Sequence, residues 1–317
     1  MTAHQTAPAP GAATIEIRGL TRRFGKQLAL APLELALGPG VTGLLGPNGS
    51  GKSTLLRMLV GLVRPSGGTA RVAGVELSGD GTAVRRRCTY SPGEIALYGE
   101  LRGRAHLEWF LRGRGPEALA RARRLTDALE LPLRKRVHAY SHGMKRQLLF
   151  AAALAPRVGV RILDEPSDGL DPSKRGTLLD LLAEDAAAGT TILLSSHHLG
   201  EVDRACAVFV FLNEGRLVAI ERAERLIQIE YGPALERPAA RAALGGAVAA
   251  LTGASGRPGL GARIDGTRLI AELPARDPRE LLAALARTPG LPAPESIRYG
   301  EVSLADLYRD LYGVEAC

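Results

Sequence analysis

The feature that most constrains this chain is a glycine-rich segment, GPNGSGKST, at residues 46–54. A short apolar run, VTGLL, leads directly into it, and TLLRMLVGLV continues with the apolar spacing of a helix. Residues 46–53 match the sequence pattern G-x-x-x-x-G-K-[ST], and the predicted order of strand, glycine turn and helix is the context in which this pattern binds phosphate. A glycine-rich backbone can direct successive N–H groups towards an anion, and the N-terminus of a helix adds the positive end of the helix dipole. The segment therefore predicts a site for a nucleoside triphosphate.

Each residue type in this segment has a task in the predicted site. Lys52 would reach the β- and γ-phosphates, and the Ser53 hydroxyl would hold Mg²⁺. The remaining positions would cradle the phosphate chain: Gly46, Pro47, Asn48, Gly49, Ser50, Gly51 and Thr54. A glycine-rich turn without a ligand is the alternative, and the flanking strand and helix argue against it. One such loop leaves both ATPases and GTPases open.

Two adjacent carboxylates follow a second apolar strand pattern in VRILDEPSDGLDP at 160–172. Asp164 would bind Mg²⁺ through water, and Glu165 would polarise the attacking water. The alternative is a pair of surface acids before a proline turn. Arg161 is unusual in such a strand, because strands of parallel sheets are normally apolar on both faces. We expect its side chain to reach solvent at a sheet margin.

Strand-like and helical patterns alternate over most of residues 14–225, which predicts an α/β fold with a doubly wound, mostly parallel sheet. The helical, Arg-rich stretch at about 91–155 interrupts this alternation and is predicted to be an inserted helical subdomain. Pro, Ala and Gly dominate residues 1–13, which are predicted to form a disordered tail.

Residues 226–317 are predicted to form a small α+β accessory domain without a recognisable catalytic cluster. The Ala- and Gly-rich stretch 238–261 is expected to be weakly structured. In contrast, ARIDGTRLIAEL predicts a hairpin with its turn at the Asp-Gly pair 265–266. Capping patterns predict helices that begin after Asp277 and after Ser303.

Composition limits the protein class only broadly. The formal net charge is +8, and this excess is compatible with nucleic acid, anionic lipid or nucleotide, so charge alone decides nothing. Three widely spaced cysteines argue against a disulfide framework. The N-terminus lacks the pattern of a secretory signal, and every apolar run is shorter than the ~20 residues of a membrane span. We therefore expect a soluble chain.

Taken together, the motifs resemble those of the ATP-binding-cassette (ABC) ATPase family. GPNGSGKST is similar to its Walker A motif, and ILDEPSDGLDP is similar to its Walker B motif and D-loop. YSHGMKRQ at 140–147 resembles the signature motif, and LLSSHHLGEV at 193–202 resembles the H-loop. Phe24 lies 22 residues before Gly46, where the family places an aromatic ring on adenine. The resemblance covers about residues 14–225, in the family's motif order.

This resemblance implies a P-loop NTPase fold of the ABC type, in which two cassettes close head to tail over two ATP molecules. Ser141 and Gly143 of one subunit would face the γ-phosphate held by Lys52 of the other. His197 would contact the same phosphate, and Asp171 would couple the two sites. The implied cofactors are therefore ATP and Mg²⁺, and hydrolysis would depend on dimerisation.

The sequence departs from the family pattern in three motifs, of which the D-loop, with Asp168, varies only mildly. YSPGE places Gly93 where the Q-loop usually has Gln, and adjacent Glu94 is a candidate for part of its role. The signature has His142 in place of a Gly and Met144 in place of a Gln. This variation and the C-terminal segment SIRYGEVSLADLYRDLYG resemble the prokaryotic exporter branch of the family.

The predicted function is that of an ATP-hydrolysing subunit, peripheral on the cytoplasmic face of the cell membrane, that energises a separate transmembrane permease, as an exporter. A second, identical ATPase subunit is expected, and nucleic acid is not. Basic runs at 85–87, 121–124 and 134–136 are interpreted as solvated faces, with contact to acidic membrane-protein loops or lipid headgroups as the alternative. Two other functions stay open: a soluble ABC ATPase acting on nucleic acid or ribosomes, and a nucleotide-gated regulator without hydrolysis.

Overall fold

The computed structural model describes residues 14–196, 202, 205–222, 225–253, 262–272, 278–301, 308 and 311–312. The tail at 1–13, His197 and most of the helix predicted after Ser303 lie outside these residues, although Tyr308, Leu311 and Tyr312 are described and are helical. The chain forms two compact units, one that ends at Arg222 and one that covers Ala223–Ala316.

The first unit contains two sheets and the helices that cover them. Its strands are β1 (Ile15–Phe24), β2 (Gln27–Leu37), β3 (Gly40–Leu45), β4 (Gly67–Val72), β5 (Val75–Glu76), β6 (Cys88–Ser91), β7 (Val160–Asp164), β8 (Thr191–Ser195), β9 (Val208–Asn213) and β10 (Arg216–Arg222). Its helices are α1 (Lys52–Leu59), α2 (Thr82–Arg87), α3 (Gly103–Phe110), α4 (Pro116–Ala128), α5 (His142–Leu154) and α6 (Pro172–Ala187).

The central sheet has the strand order β10-β9-β3-β8-β7-β6. All its pairs are parallel except the antiparallel edge pair of β10 and β9. Strands β7 and β8 are buried along their whole length, as expected where both faces of a parallel sheet are covered. The predicted α/β fold is confirmed. A second, antiparallel sheet has the order β2-β1-β4-β5.

Parallel pairing sets the position of the candidate site. The register pairs Asp164, the last residue of β7, with Ser195, the last residue of β8. Leu44 of β3 is paired with the same serine, and β3 ends one residue later, directly before the glycine loop. The carboxyl ends of three neighbouring strands therefore meet at one edge, where ligands bind in open α/β sheets.

The helical insertion lies between β6 and β7 and consists of α3, α4, a short 3₁₀ turn (Val137–Ala139) and α5. Helix α4 begins with Pro116 in its first turn, followed by Glu117, which suits the positive end of the helix dipole. It buries a stripe of small and apolar residues: Ala118, Ala122 and Leu125. This packing holds α5, whose N-terminus carries the predicted signature.

The expectation that Arg161 reaches solvent is wrong. Its side chain is 1% exposed, and its Nε lies 2.5 Å from Oδ2 of Asp185 on α6. Its Nη atoms donate to the backbone carbonyls of Ala153 (2.7 Å) and Pro156 (3.0 Å), near the end of α5. Asp185 also accepts a hydrogen bond from Arg121 of α4. A charge can be buried here because its donors find acceptors and its counter-charge is buried beside it.

The second unit is built on an antiparallel sheet with the order β12-β13-β11-β14. Its elements are β11 (Arg225–Glu230), β12 (Ala262–Asp265), β13 (Arg268–Glu272), β14 (Ser296–Glu301), α7 (Pro238–Gly253) and α8 (Pro278–Ala286). The predicted hairpin is present, but Asp265 is paired with Arg268, so the turn residues are 266–267.

Helix α7 contradicts the expectation of weak structure over residues 238–253, and residues 254–261 lie outside those that the structure describes. Alanine has the highest helix propensity, and Ala240 and Leu244 are buried in a cluster with Leu235 and Leu281. Burial of this stripe outweighs the cost of the two glycines in the helix interior, Gly245 and Gly246. Among the residues that the structure describes, no helix has both the length and the apolar character needed to cross a bilayer.

Candidate functional site

The glycine loop between β3 and α1 has the backbone geometry that its sequence predicts. Gly46, Gly49 and Gly51 have φ angles of 149°, 81° and 102°, in the region that favours glycine. A Cβ atom at position 46 would lie 2.1 Å from the carbonyl oxygen of Leu212. No side chain caps α1 at Gly51, so its first-turn N–H groups stay available to an anion.

Lys52 folds back into this loop. Its Nζ donates to the carbonyl oxygens of Gly46 at 2.7 Å and Pro47 at 3.1 Å, and its side chain is almost fully buried. Burial lowers the pKa of the Lys52 ammonium, while the carboxylates of Glu165 and Asp164 act in the opposite direction. Carbonyl groups orient the ammonium without neutralising it, so the loop presents a fixed positive charge.

Asp164 lies opposite the start of α1 and is 1% exposed. Its Oδ1 accepts hydrogen bonds from Ser195 Oγ at 2.7 Å and from Ser53 Oγ at 3.2 Å. No hydrogen bond reaches its Oδ2 from any residue that the structure describes. The predicted metal-binding pair, Ser53 and Asp164, is therefore assembled, with one buried carboxylate oxygen left for a ligand. Such an oxygen suits a hard cation.

Ser195 is a site residue that sequence reasoning missed. Its Oγ donates to Asp164 and accepts the backbone N–H of Glu165 at 3.0 Å. Glu165 has a φ of 48°, which is uncommon for a residue other than glycine. One hydroxyl thus orients both members of the acidic pair. The only sequence signal was a serine at the end of a strand pattern.

Gly93 occupies the Q-loop place in space as well as in sequence. A Cβ atom there would lie 3.2 Å from Asp164 Oδ2, so the loop backbone passes directly over the carboxylate. Glu94, the candidate for part of the glutamine's role, faces Arg57 in this structure. Its carboxylate lies 3.7 Å from Arg57, and its side chain is largely exposed.

Arg146 of α5 joins this loop to the D-loop, and sequence reasoning missed it as well. Its side chain is 1% exposed, and it donates to the carbonyls of Pro92 (2.8 Å) and Gly93 (2.7 Å). Its Nη2 lies 3.6 Å from Oδ2 of Asp168. Burial lowers the pKa of Arg146, and the carboxylate of Asp168 is the largest opposing influence.

The predicted signature and D-loop lie against each other within one chain. Ser141 caps α5, since its Oγ accepts the N–H of Met144 at 3.2 Å. A Cβ at Gly143 would lie 2.6 Å from the carbonyl oxygen of Gly169, so only glycine fits there. Asp171 caps α6 by accepting the N–H of Lys174 at 2.9 Å.

Phe24, the predicted adenine-stacking residue, ends β1. Its ring is 46% exposed, and the Arg22 guanidinium carbon lies 4.3 Å from the ring centroid. One aromatic face at the surface is compatible with stacking on a planar base. His197 is outside the described residues, so the structure leaves its position untested.

Comparison with known proteins relates the chain to one family. The ABC transporter family model matches residues 30–168. Daunorubicin resistance ATP-binding protein DrrA3 of Streptomyces coeruleorubidus is 36% identical over 280 residues, which are 86% of this chain and 87% of that protein. Nod factor export ATP-binding protein I of Ralstonia nicotianae is 30% identical over 329 residues, 98% of each chain.

Solved structures agree with this relationship. The ATP-binding subunit of an ABC transporter is 31% identical, with a TM-score of 0.62, and the match covers 66% of this chain and 90% of that one. A dimeric bacterial ABC transporter cassette is 23% identical, with a TM-score of 0.60, over 66% of this chain and 98% of the other. At 23% identity, the second match shows a shared fold and nothing more.

Proposed function

The chain belongs to the ABC transporter family of ATP-binding proteins, and from this we propose that it binds and hydrolyses ATP to energise a separate transmembrane permease. The observation that carries the proposal is the assembled site at one sheet edge. Lys52 lies within the glycine loop, and Ser53 lies 3.2 Å from Asp164. Both a phosphate chain and a Mg²⁺ ion would find partners among these residues.

In this proposal the glycine loop holds the phosphates through its backbone N–H groups and the ammonium of Lys52. Ser53 and Asp164 would hold Mg²⁺, which neutralises charge on the phosphate oxygens when bound. The free Oδ2 of Asp164 supports this assignment. Phe24 offers its exposed ring to the adenine.

Glu165 is proposed to orient the attacking water and accept its proton. Its backbone N–H donates to Ser195, which holds the backbone from which the carboxylate side chain extends beside Asp164. Gly93 supplies no side chain to this step. The Arg146 contacts to the loop at 92–93 are proposed to hold that loop in place instead.

The active form is proposed to be a homodimer, as in the family. Ser141 and Gly143 would meet the γ-phosphate held by the partner's glycine loop, and Asp171 would connect the two sites. His197 keeps its proposed contact to the same phosphate. The named relatives act in drug resistance and Nod factor export, which supports an exporter peripheral on the cytoplasmic face of the membrane.

The test is steady-state Mg-ATPase activity of the purified chain over a range of protein concentration. Activity per chain should rise with concentration, because each site needs residues of a second subunit. Glu165→Gln should bind ATP normally but lose at least ~10²-fold in kcat, the scale for a positioned base. Glu184→Gln, an exposed acid on α6, is the matched control and should leave kcat unchanged.

Normal turnover in Glu165→Gln would remove that residue from its role. Activity per chain that is independent of concentration would contradict the homodimer, and ATP binding without any turnover would contradict self-sufficient hydrolysis.

A further inference from the structure

Arg22 and Phe24 lie two residues apart at the end of β1, a spacing that places side chains on the same face of a strand. The guanidinium carbon of Arg22 lies over the Phe24 ring, 4.3 Å from its centroid. A cation within about 6 Å of an aromatic centroid is attracted by the negative face of the ring. Arg22 therefore covers one face of the ring, while the Phe24 side chain as a whole remains 46% exposed.

The guanidinium of Arg22 is also fixed to the backbone of the fold. Its Nη1 donates to the carbonyl oxygen of Arg64 at 2.7 Å, in the segment that joins α1 to β4. Its Nε is buried without a hydrogen-bond partner among the described residues, and within the same residues no ion pair joins Arg22 to a carboxylate. The Phe24 ring and this carbonyl are therefore the contacts that hold the guanidinium.

The segment that anchors Arg22 is itself held against β1. The backbone N–H of Ser66 donates to the carbonyl oxygen of Thr21 at 2.8 Å. Ser66 Oγ accepts the backbone N–H of Arg23 at 3.0 Å, and Thr21 is paired with Gly67 at the start of β4. Arg22 thus connects a fixed stretch of backbone to the aromatic ring.

The strand order β2-β1-β4 separates this anchor from the phosphate site. Arg64 lies on the β4 side of β1, whereas the glycine loop packs against β2. A Cβ atom at Gly51 would lie 2.8 Å from the carbonyl oxygen of Ala29 in β2. A nucleotide whose phosphates are held by the glycine loop approaches the Phe24 ring from the β2 side. The base therefore meets a ring face that Arg22 does not cover.

The position of Phe24 makes such support useful. Phe24 is the last residue of β1, beside the turn at 25–26, and its ring is partly exposed. An exposed ring samples several rotamers, and stacking on a base costs the entropy of selecting one of them. The Arg22 contact selects a rotamer before the nucleotide binds. Preorganisation of this kind raises affinity without a new contact to the ligand.

We propose that Arg22 is a positioning residue of the nucleotide site, which holds the Phe24 ring in the orientation that stacks on the base. Arg22 acts through Phe24 and contacts neither the phosphates nor the metal ion. This role rests on the proposed function, because it requires a nucleotide whose base stacks on Phe24.

The next residue along the chain provides a matched control. Arg22→Leu removes the guanidinium from the ring, and Arg23→Leu makes the same change of side chain and charge one position further along β1. Arg23 is exposed, and its contact with Ser66 uses the backbone N–H, which leucine retains. Phe24→Leu and the combination of Phe24→Leu with Arg22→Leu complete the set.

Two probes separate the base from the phosphates: Mg-ATP, and the magnesium complex of inorganic tripolyphosphate, which has a phosphate chain without a base. Calorimetric titration of the full chain gives both dissociation constants. Arg22→Leu should bind ATP about 5-fold more weakly, the scale of an exposed cation–π contact and one ordered ring, and should bind tripolyphosphate within ~2-fold of the unmodified chain. Arg23→Leu should change both constants by less than ~2-fold.

The combined variant tests whether Arg22 acts through the ring. In a chain that already carries Phe24→Leu, the addition of Arg22→Leu should not weaken ATP binding further, because the side chain that Arg22 positions is absent. A further loss as large as that in Arg22→Leu alone would mean that Arg22 acts elsewhere, and would overturn the positioning role.

Other results would also overturn it. Equal loss of ATP and tripolyphosphate binding in Arg22→Leu would mean that the residue acts through its charge or through the fold. Tighter ATP binding would mean that the guanidinium occupies the face that the base needs, and unchanged ATP binding would mean that the ring keeps its orientation unaided. Absence of ATP binding by the unmodified chain would instead overturn the proposed function, and the role of Arg22 with it.

Discussion

At the scale of single residues, Ser195 shows how one hydroxyl can organise two acids with different proposed tasks. It holds the carboxylate of Asp164 and the backbone of Glu165 at 2.7 and 3.0 Å. A hydroxyl can do both because it donates one hydrogen bond and still accepts another. The relative position of the two acids thus depends on a third side chain on the neighbouring strand.

We expect Ser195→Ala to lower kcat by ~10-fold or more while ATP affinity changes little. The variant leaves a buried carboxylate with one fewer donor, a loss of about 1.5–3 kcal/mol for a hydrogen bond to a charged group. The Lys52 contacts within the glycine loop are untouched. Measurement of kcat and of the ATP dissociation constant separates the two effects. An unchanged kcat would show that Glu165 holds its position without the serine.

The buried pair of Arg161 and Asp185 leads to a prediction about stability. Asp185→Asn should lower the free energy of unfolding by about 3–5 kcal/mol, because it leaves a buried guanidinium without its counter-charge. Arg161→Met combined with Asp185→Leu should cost less than the single change, because neither charge is then buried. Urea denaturation of both variants gives the comparison. A loss in the double variant as large as that in Asp185→Asn, or larger, would contradict this account.

At the scale of elements, the start of α5 and the D-loop pack so closely that no Cβ atom fits between them at position 143. Gly143→Ala should lower kcat, because its Cβ would meet the Gly169 carbonyl oxygen at 2.6 Å and displace one element from the other. Gly176→Ala in α6 is the matched control, since its Cβ points into open space. It should keep kcat and raise the free energy of unfolding by about 0.5–1 kcal/mol. Equal kcat values in the two variants would contradict this account.

The elements also show which parts of the site a sequence can reveal. The glycine loop, Lys52 and the Asp164–Glu165 pair lie at strand ends, and their tasks follow from local patterns. The roles of Ser195 and Arg146 were not predicted from the sequence because their partners lie 31 and 54 residues away along the chain. Only the strand register and the packing of α5 bring these residues together. Helix α7 was misjudged for a related reason: its stripe of alanines became informative only once a buried neighbour was known.

At the scale of the whole molecule, the two units have separate apolar clusters. One cluster runs from Ile15 to Ile220 and packs α1 between the sheets of the first unit. Another lies between Ile229 and Leu291 in the second unit. All residues assigned to the nucleotide site precede Ala223, the first residue of the second unit.

We therefore expect residues 1–222 alone to fold and to bind ATP with an affinity within ~3-fold of that of the full chain, less than 1 kcal/mol. Thermal unfolding by circular dichroism and calorimetric titration with ATP check the two parts. The full chain under the same conditions is the control. An unfolded fragment would show that the second unit stabilises the first.

The ion network of Arg121, Asp185 and Arg161 limits which segments of this cassette can be exchanged with those of a relative. The insertion contributes Arg121, while the carboxylate and the second arginine belong to α6 and β7. A chimera that took residues 91–155 from a relative without this arginine would leave a buried carboxylate with half of its cationic surroundings. The segment that can be exchanged between relatives is therefore larger than the insertion. A functional chimera has to take α6 and β7 from the same relative, or replace all three charged residues together.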